Sequence, residues 1–364
     1  MGGAERQAVY LVQHLVTLGH CDVELLAFED GDVVRPQLAA LGVRVHILPY
    51  YFRWPKAKRA RSLAKLAALL RFKIKPDALL PFVGIHSKTT AMVWPLSGAR
   101  FCWWNQQDEG RDLTGTAIEK RILKRVSCIT SNSEAGRDFL VATYGLEGDS
   151  VRVYNNGTPV PSSAPAISML SQLGLEDRSV VTMVANVTPF KDHPTLLRAW
   201  AQVKRHFGSR GAPILLLAGH LRDADTVAAL KVLAFELGLS SDDVRFLGPV
   251  SDVENLIRGS DLVVHSSMTE GCPNAVCEAM ALGKAVVATN IPGCRQALGS
   301  EVWLSKPGDP IELFGLIVRL LENDDLRSSV GRANQARIES DFTIDGMNRF
   351  FVQQIEARLG QALT

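Results

Sequence analysis

Short, wholly apolar runs separated by amphipathic stretches fill this chain from end to end. In the first half, DVELLAF (22–28), VRVHILP (43–49), DALLPF (77–82), ARFCWWN (99–105) and CITSNS (128–133) have strand length and β-branched or aromatic content. In the second half, VVTMVAN (180–186), PILLLAG (213–219), VRFLG (244–248), DLVVHSS (261–267) and AVVAT (285–289) read the same way. Helical spacing of apolar residues marks AERQAVYLVQHLVTLG (4–19), GTAIEKRILKRV (115–126), EAGRDFLVATYG (134–145) and TLLRAWAQVKRHF (195–207). The tail, Asp341 to Leu359, reads as a helix with Phe342-Thr343 at its start. Strands that alternate with helices predict parallel sheets and an α/β fold. The Pro/Ser-rich stretch TPVPSSAP (158–165) predicts a linker between a domain of residues 1–157 and one of residues 166–340. Residues 341–364 then form a terminal helix able to cross back to the first domain.

A length of 364 residues accommodates two domains. With 46% hydrophobic and 21% charged residues, the composition is that of a globular protein rather than a disordered one. No apolar run approaches the ~20 residues that span a bilayer. MGGAERQAV has no basic segment followed by an apolar one, so it does not read as a signal peptide. The six cysteines form no CxxC pair and no zinc spacing. Cys272, Cys277 and Cys294, near the densest chemistry, fit small buried fillers rather than ligands, and the set as a whole fits a reducing cytosol.

Net charge is only +2, but nine Lys and Arg and no acid fall within residues 53–75. Leu63, Leu66, Leu69 and Leu70 recur there at helical spacing, beside Trp54 and Phe72. Such a helix suits an anionic membrane surface. It equally suits packing on its own sheet. Nucleic acid is disfavoured, because the run lacks interleaved stacking aromatics.

Residues 261–289 carry the densest chemistry. They read as strand, loop, helix, strand, a βαβ crossover with Pro273 opening the helix and Gly283 just past its end. Glu270 falls in the loop at the carboxyl end of the first strand, where open α/β sheets bind ligands. Glu278 lies on the helix face shared by Asn274 and Ala275. The amides near Asn274, Ala275 and Val276 suit a phosphate. Two glutamates eight residues apart are, by themselves, ordinarily two solvated charges. The string around them, EGCPNAVCEAMALGKAVVAT, resembles the signature of glycosyltransferase family 4, the group 1 type.

That resemblance implies the GT-B fold, two Rossmann-like domains facing across a cleft, and a retaining enzyme that uses a nucleotide sugar. It implies that Glu270 touches the donor sugar, aided by the amides of Gly271 and Cys272, and that Glu278 holds the ribose. VANVTPFKDHPTLLRAW resembles the first strand–loop–helix of the donor domain, where Lys191 would reach the diphosphate. The family's usual second cation is missing, since Asn186 and Thr188 stand in the comparable positions. Arg222 is a candidate substitute. Leu247 and Gly248 resemble the stretch bordering the base. GGAER at 2–6 resembles the opening loop of the acceptor-side domain, with Gly3 near the diphosphate. The strand that normally precedes it is absent, which suggests a truncated or misassigned start, or another segment in its place. His86 would stand near the anomeric carbon; a lone His is otherwise most often structural. Asn105, Gln106, Asp108, Glu109 and Arg111 form a polar cluster after an apolar strand. It fits an acceptor surface or a solvated loop. Three further departures are Ala285 for the usual Pro, Pro292-Gly293 for Gly-Gly, and Gln296 for Glu.

The implied reaction is sugar transfer, from a UDP-sugar by preference, to a hydroxyl of a glycan or lipid-linked acceptor in polysaccharide biosynthesis. Front-face displacement would let the leaving phosphate take the acceptor's proton, so no dedicated enzymatic base is required; by the resemblance, Glu270, Lys191 and His86 are the candidate catalytic groups. No Asp-x-Asp points to a metal, and no cofactor is implied. The expected place is the cytoplasm, at the inner face of a membrane if the 53–75 helix docks there. A non-catalytic nucleotide-sugar binder or assembly subunit is the second reading. A dinucleotide oxidoreductase needs a G-x-G-x-x-G turn, which is lacking.

Overall fold

The computed structural model describes residues 2–29, 34–51, 53–110, 113–161, 169–208, 211–221, 223–360 and 362–363. The chain divides into two compact units, residues 1–157 with 344–364, and residues 158–343.

The second unit holds β7 to β12 of the chain's strands: Val180–Val184, Ile214–Ala218, Val244–Gly248, Leu262–His265, Ala285–Thr289 and Leu304–Ser305. They form one sheet in the order β12-β11-β10-β7-β8-β9, and every pair is parallel. These strands are continuous apolar runs because both faces are covered. The two-residue side-chain period still sorts each run between two cores. Val181, Met183, Leu215, Leu217, Leu262, Val264, Ala285 and Val287 pack with Trp200 and the helices His193–Phe207 and Pro310–Leu321. Val263, Val286 and Ala288 point the other way, against Val276 and Met280 of the helix Asn274–Ala281. The buried Trp200 indole donates to the Asp243 carbonyl at 2.7 Å, so its one polar atom is satisfied.

The chain moves from β7 outward to β8 and β9, then returns to lay β10 on β7's other side. The order therefore reverses between β7 and β10. At such a switch point the loops leaving two neighbouring strands diverge and open a crevice at the sheet's carboxyl edge.

The first unit holds β1 to β6: Glu24–Ala27, Arg44–Ile47, Ala78–Leu79, Phe101–Gln106, Cys128–Ser131 and Val151–Val153. Among the described residues they make two parallel pieces, β1-β2 and β3-β4-β5-β6. No described strand precedes the helix Gly3–Leu18. β4 alternates as the second unit's strands do. Phe101 and Trp103 pack against Leu11, Leu15 and the tail helix Ile344–Leu359. Cys102 and Trp104 pack against Leu66 and Leu70.

Helix starts follow local chemistry. Thr116 and Glu119 form a reciprocal capping box for the helix Ala117–Leu123. Asp192, Asp223, Asp252, Asp309 and Asn323 each accept an amide at a helix start.

Candidate functional site

Two of the second unit's candidate groups, Lys191 and Glu270, meet at its switch point. β7 runs on into residues 185–192 and β10 into residues 266–273, and the two loops are laced together. Asp192 N donates to the Ser266 carbonyl at 3.1 Å, and the Ser266 hydroxyl returns a bond to the Asp192 carbonyl at 2.7 Å. Met268 N and the Ser267 hydroxyl both donate to the Phe190 carbonyl, at 2.9 and 3.1 Å. Thr289, at the end of β11, accepts from Ser267 N at 2.8 Å and donates to the Ser267 carbonyl at 2.9 Å. Three adjacent strands thus fix the loop that carries Glu270.

Within this frame Lys191 and Glu270 form an ion pair. His265, the last residue of β10 and 2% exposed, places Nε2 2.9 Å from the same Glu270 oxygen. Burial alone would raise the Glu270 pKa. The Lys191 ammonium and the His265 contact outweigh it and hold the carboxyl well below its usual range. The same burial, with Lys191 acting in the same direction, lowers the His265 pKa, so its ring is neutral. His193 lies beside Lys191: its Nδ1 is 3.0 Å from the Lys191 carbonyl, and burial pulls its pKa down to about 4.

Glu270 and Gly271 lead into the helix Asn274–Ala281, whose cap position is Pro273; the expected first helical residue is one place later. Val276 and Cys277 donate to the Pro273 carbonyl. The amides of Asn274 and Ala275 belong to the first turn of this helix. Ala275, Asn274 and Glu278 are half-buried on this helix, and Cys272 is half-buried with its sulfur 4.0 Å from that of Cys277. Gly293 backs the loop: a methyl there would overlap the Gly271 carbonyl oxygen and lie 2.6 Å from that of Glu270. Leu247 is half-buried in β9 beside the core of this unit. Asn186 turns its amide oxygen to the backbone N of His220, at 3.0 Å. Arg222, the candidate substitute cation, lies outside the described residues.

The first unit presents its candidates separately. Gly3 opens the helix Gly3–Leu18, whose first turn carries Glu5. His86 sits in the first turn of the helix Gly84–Ser97. Its ring stacks on Phe28 with centroids 4.4 Å apart. Burial lowers its pKa, against the carboxylates of Glu5 and Glu29. The residue before that helix, Val83, holds φ at +76°, a region that a β-branched side chain rarely enters. Strain of this kind gathers at functional sites. Asn105 corrects the picture of a surface cluster. It lies inside β4 at 1% exposure, and its amide oxygen accepts from Tyr154 at 3.0 Å and Thr130 at 3.3 Å. Asp108 accepts from Gly110 N at 2.7 Å and from the Gln106 amide at 3.0 Å, which closes the loop on itself. Glu109 is half-buried in the same loop, and Arg111 lies outside the described residues.

His265 is the residue that sequence reading passed over. It reads as the polar end of an apolar run. The usable signal was a titratable side chain in the last position of a buried parallel strand, one step from the ligand edge.

Comparison with known proteins adds the lineage. Residues 1–160 match the model of glycosyltransferase family 4 and residues 169–337 that of glycosyl transferases group 1. A D-inositol 3-phosphate glycosyltransferase of Saccharomonospora viridis is 31% identical over 193 residues, 50% of this chain and 44% of that protein. One from Rhodococcus opacus is 28% identical over 243 residues, 63% of this chain and 54% of that protein. The match thus spans about half the length of these relatives. Among solved structures, Anabaena HepE in complex with UDP and glucose aligns with a TM-score of 0.85 at 22% identity, over 98% of this chain and 96% of that one. Sucrose-phosphate synthase of Thermosynechococcus elongatus aligns at 0.78 and 20% identity, over 99% and 94%. These likenesses are of fold, and the fold is GT-B. With matching models over both halves, the chain belongs to the group 1 glycosyltransferases of family 4.

Proposed function

We propose that this protein is a retaining glycosyltransferase that moves a sugar from a UDP-sugar to a hydroxyl of a glycan or lipid-linked acceptor. The observation that carries the reading is the Lys191–Glu270 pair at the switch point, set against the start of the helix Asn274–Ala281. Breaking a sugar–diphosphate bond places negative charge on the departing phosphates. A lysine and first-turn amides are suited to meet it. A carboxylate kept ionised accepts hydrogen bonds from sugar hydroxyls and favours positive charge growing on the ring. Glu278 takes the ribose and Leu247 borders the base, with Gly271, Cys272, Asn274 and Ala275 supplying the loop and helix start. His86, Gly3, Asn105, Asp108 and Glu109 belong to the acceptor-side unit. The leaving phosphate accepts the proton of the incoming hydroxyl, so front-face displacement needs no enzymatic base. UDP and UDP-glucose, present in the HepE structures, are the first donors to test.

The second reading, a non-catalytic binder, draws on Asn186, whose side chain is committed to His220 where the family's second cation would stand. Release of UDP from UDP-glucose, UDP-galactose and UDP-N-acetylglucosamine separates the two. Turnover of one donor, sharply reduced in Glu270→Gln, supports the enzyme. UDP binding without turnover of any sugar supports the binder.

The place of action is the cytoplasmic surface of a membrane. The helix Lys56–Ala68 buries Leu66 and Ala67 in its own unit's core, so its apolar face is not the contact. The reading rests on the residues turned outward: Lys56, Lys58, Arg61 and Lys65 of this helix are exposed, and Phe72, in the segment Leu69–Ile74 that follows it, is 76% exposed. No described helix is long and apolar enough to cross a membrane.

A further inference from the structure

We propose that His265 is a positioning residue that keeps Glu270 set for the donor sugar while Lys191 is drawn off to the diphosphate. The inference rests on the function proposed above and deepens it. One oxygen of Glu270 is shared by two nitrogens, Lys191 Nζ and His265 Nε2. Lys191 cannot serve both partners at full strength. A diphosphate is the stronger attractor for an ammonium, with more charge and more acceptor oxygens than one carboxylate. Its four-carbon stem lets it move.

His265 has neither the freedom nor the incentive to follow. It ends β10 in register with Ala288 of β11. The Thr289 hydroxyl, which donates to Ser267, lies 3.4 Å from its carbonyl. Its ring is enclosed, and burial, the largest influence on its pKa, disfavours the charged form whether or not Lys191 stays. A neutral imidazole has one N–H, and a carboxylate can only accept, so that proton sits on Nε2. A neutral donor is not pulled toward the phosphates as an ammonium is. Donor arrival therefore strips Glu270 of its mobile partner and leaves the fixed one. In the empty site the lysine and glutamate neutralise each other, and the diphosphate separates them.

Four variants test this: His265→Leu, which fills the space without a donor, His265→Gln, which restores an N–H, Glu270→Gln, and the double variant His265→Leu with Glu270→Gln. UDP affinity is read by calorimetry and kcat/KM by UDP release from the three UDP-sugars. His265→Leu is expected to bind UDP within about twofold of wild type yet to lose about 10- to 100-fold in kcat/KM, the scale of a misplaced group. His265→Gln recovers most of that loss. Glu270→Gln frees Lys191 and binds UDP more tightly than wild type. The double variant is no slower than Glu270→Gln alone, because the histidine acts only through the carboxylate. Wild-type turnover in His265→Leu, losses that multiply in the double variant, or equal loss of UDP binding and turnover overturns the inference. A Glu270→Gln enzyme as active as wild type, or a wild type that turns over none of the sugars, overturns the function reading itself and this inference with it.

Discussion

Glu270 was legible because a twenty-residue string surrounds it, and Lys191 because its loop resembles a known turn. Neither string shows that the two side chains meet. That follows from strand order: β7 and β10 are neighbours only because the chain doubles back, and no local pattern encodes the doubling back. Asn105 misled for a related reason. A polar residue after WW looks like a strand end, yet its amide is held between Thr130 and Tyr154, which belong to distant parts of the sequence. Gly293 makes the sharpest residue-scale prediction. Its departure from Gly-Gly left one glycine, and that one is tightly packed against the backbone of Glu270 and Gly271. Gly293→Ala must push this loop outward. It should lower kcat/KM by about 10- to 100-fold through displacement of Glu270. Overpacking should also lower stability by about 1–3 kcal/mol. Steady-state kinetics and thermal melts check both.

At the scale of elements, strongly apolar strands were read well and short or exposed ones poorly. The expected strand 77–82 shrinks to Ala78–Leu79, because Pro81 has no N–H for a ladder. The helix Gly84–Ser97 escaped notice. It carries Pro95 and buries residues on several faces, so it lacks an amphipathic period. Its neighbour Ala117–Leu123 holds the best-connected buried charge of the first unit. Glu119, 0% exposed, accepts from Lys88 at 2.5 Å, Tyr144 at 3.0 Å and the Thr116 amide at 3.0 Å. Burial would raise its pKa, but these bonds bring it down to about 2. Tyr144 responds oppositely, pushed up to about 12 by burial and by Glu119. A carboxyl depressed on folding adds stability above its unfolded pKa, near 4.5, and loses it as pH falls toward 2. The full shift corresponds to about 3 kcal/mol. Melting temperature should therefore fall between pH 4.5 and 2. Glu119→Gln should be less stable at pH 7 and show a flatter decline over that window. An unchanged decline would place the acid sensitivity elsewhere.

On the scale of the whole molecule, alternation of strand and helix foretold the parallel α/β sheets, and the family resemblance implied the GT-B fold. It did not foretell that the first unit's described strands form two pieces, which depends on which strands find partners. Net charge, at +2, conceals the basic outward face of the helix Lys56–Ala68. Co-sedimentation with vesicles should show binding to anionic lipid that neutral lipid does not support. The binding should fade at ~1 M salt, where screening reaches about 3 Å. Replacing Lys56, Lys58, Arg61 and Lys65 by Glu should abolish it while leaving UDP affinity unchanged. Equal binding to both vesicle types would contradict the membrane assignment. The central claim is that the second unit grips a nucleotide sugar by its diphosphate. Calorimetric titration with UDP tests it most directly. We expect saturable binding by the wild type and at least tenfold weaker binding by Lys191→Ala, a loss of about 1.4 kcal/mol or more. No heat from the wild type, or identical affinity in the variant, would contradict the account.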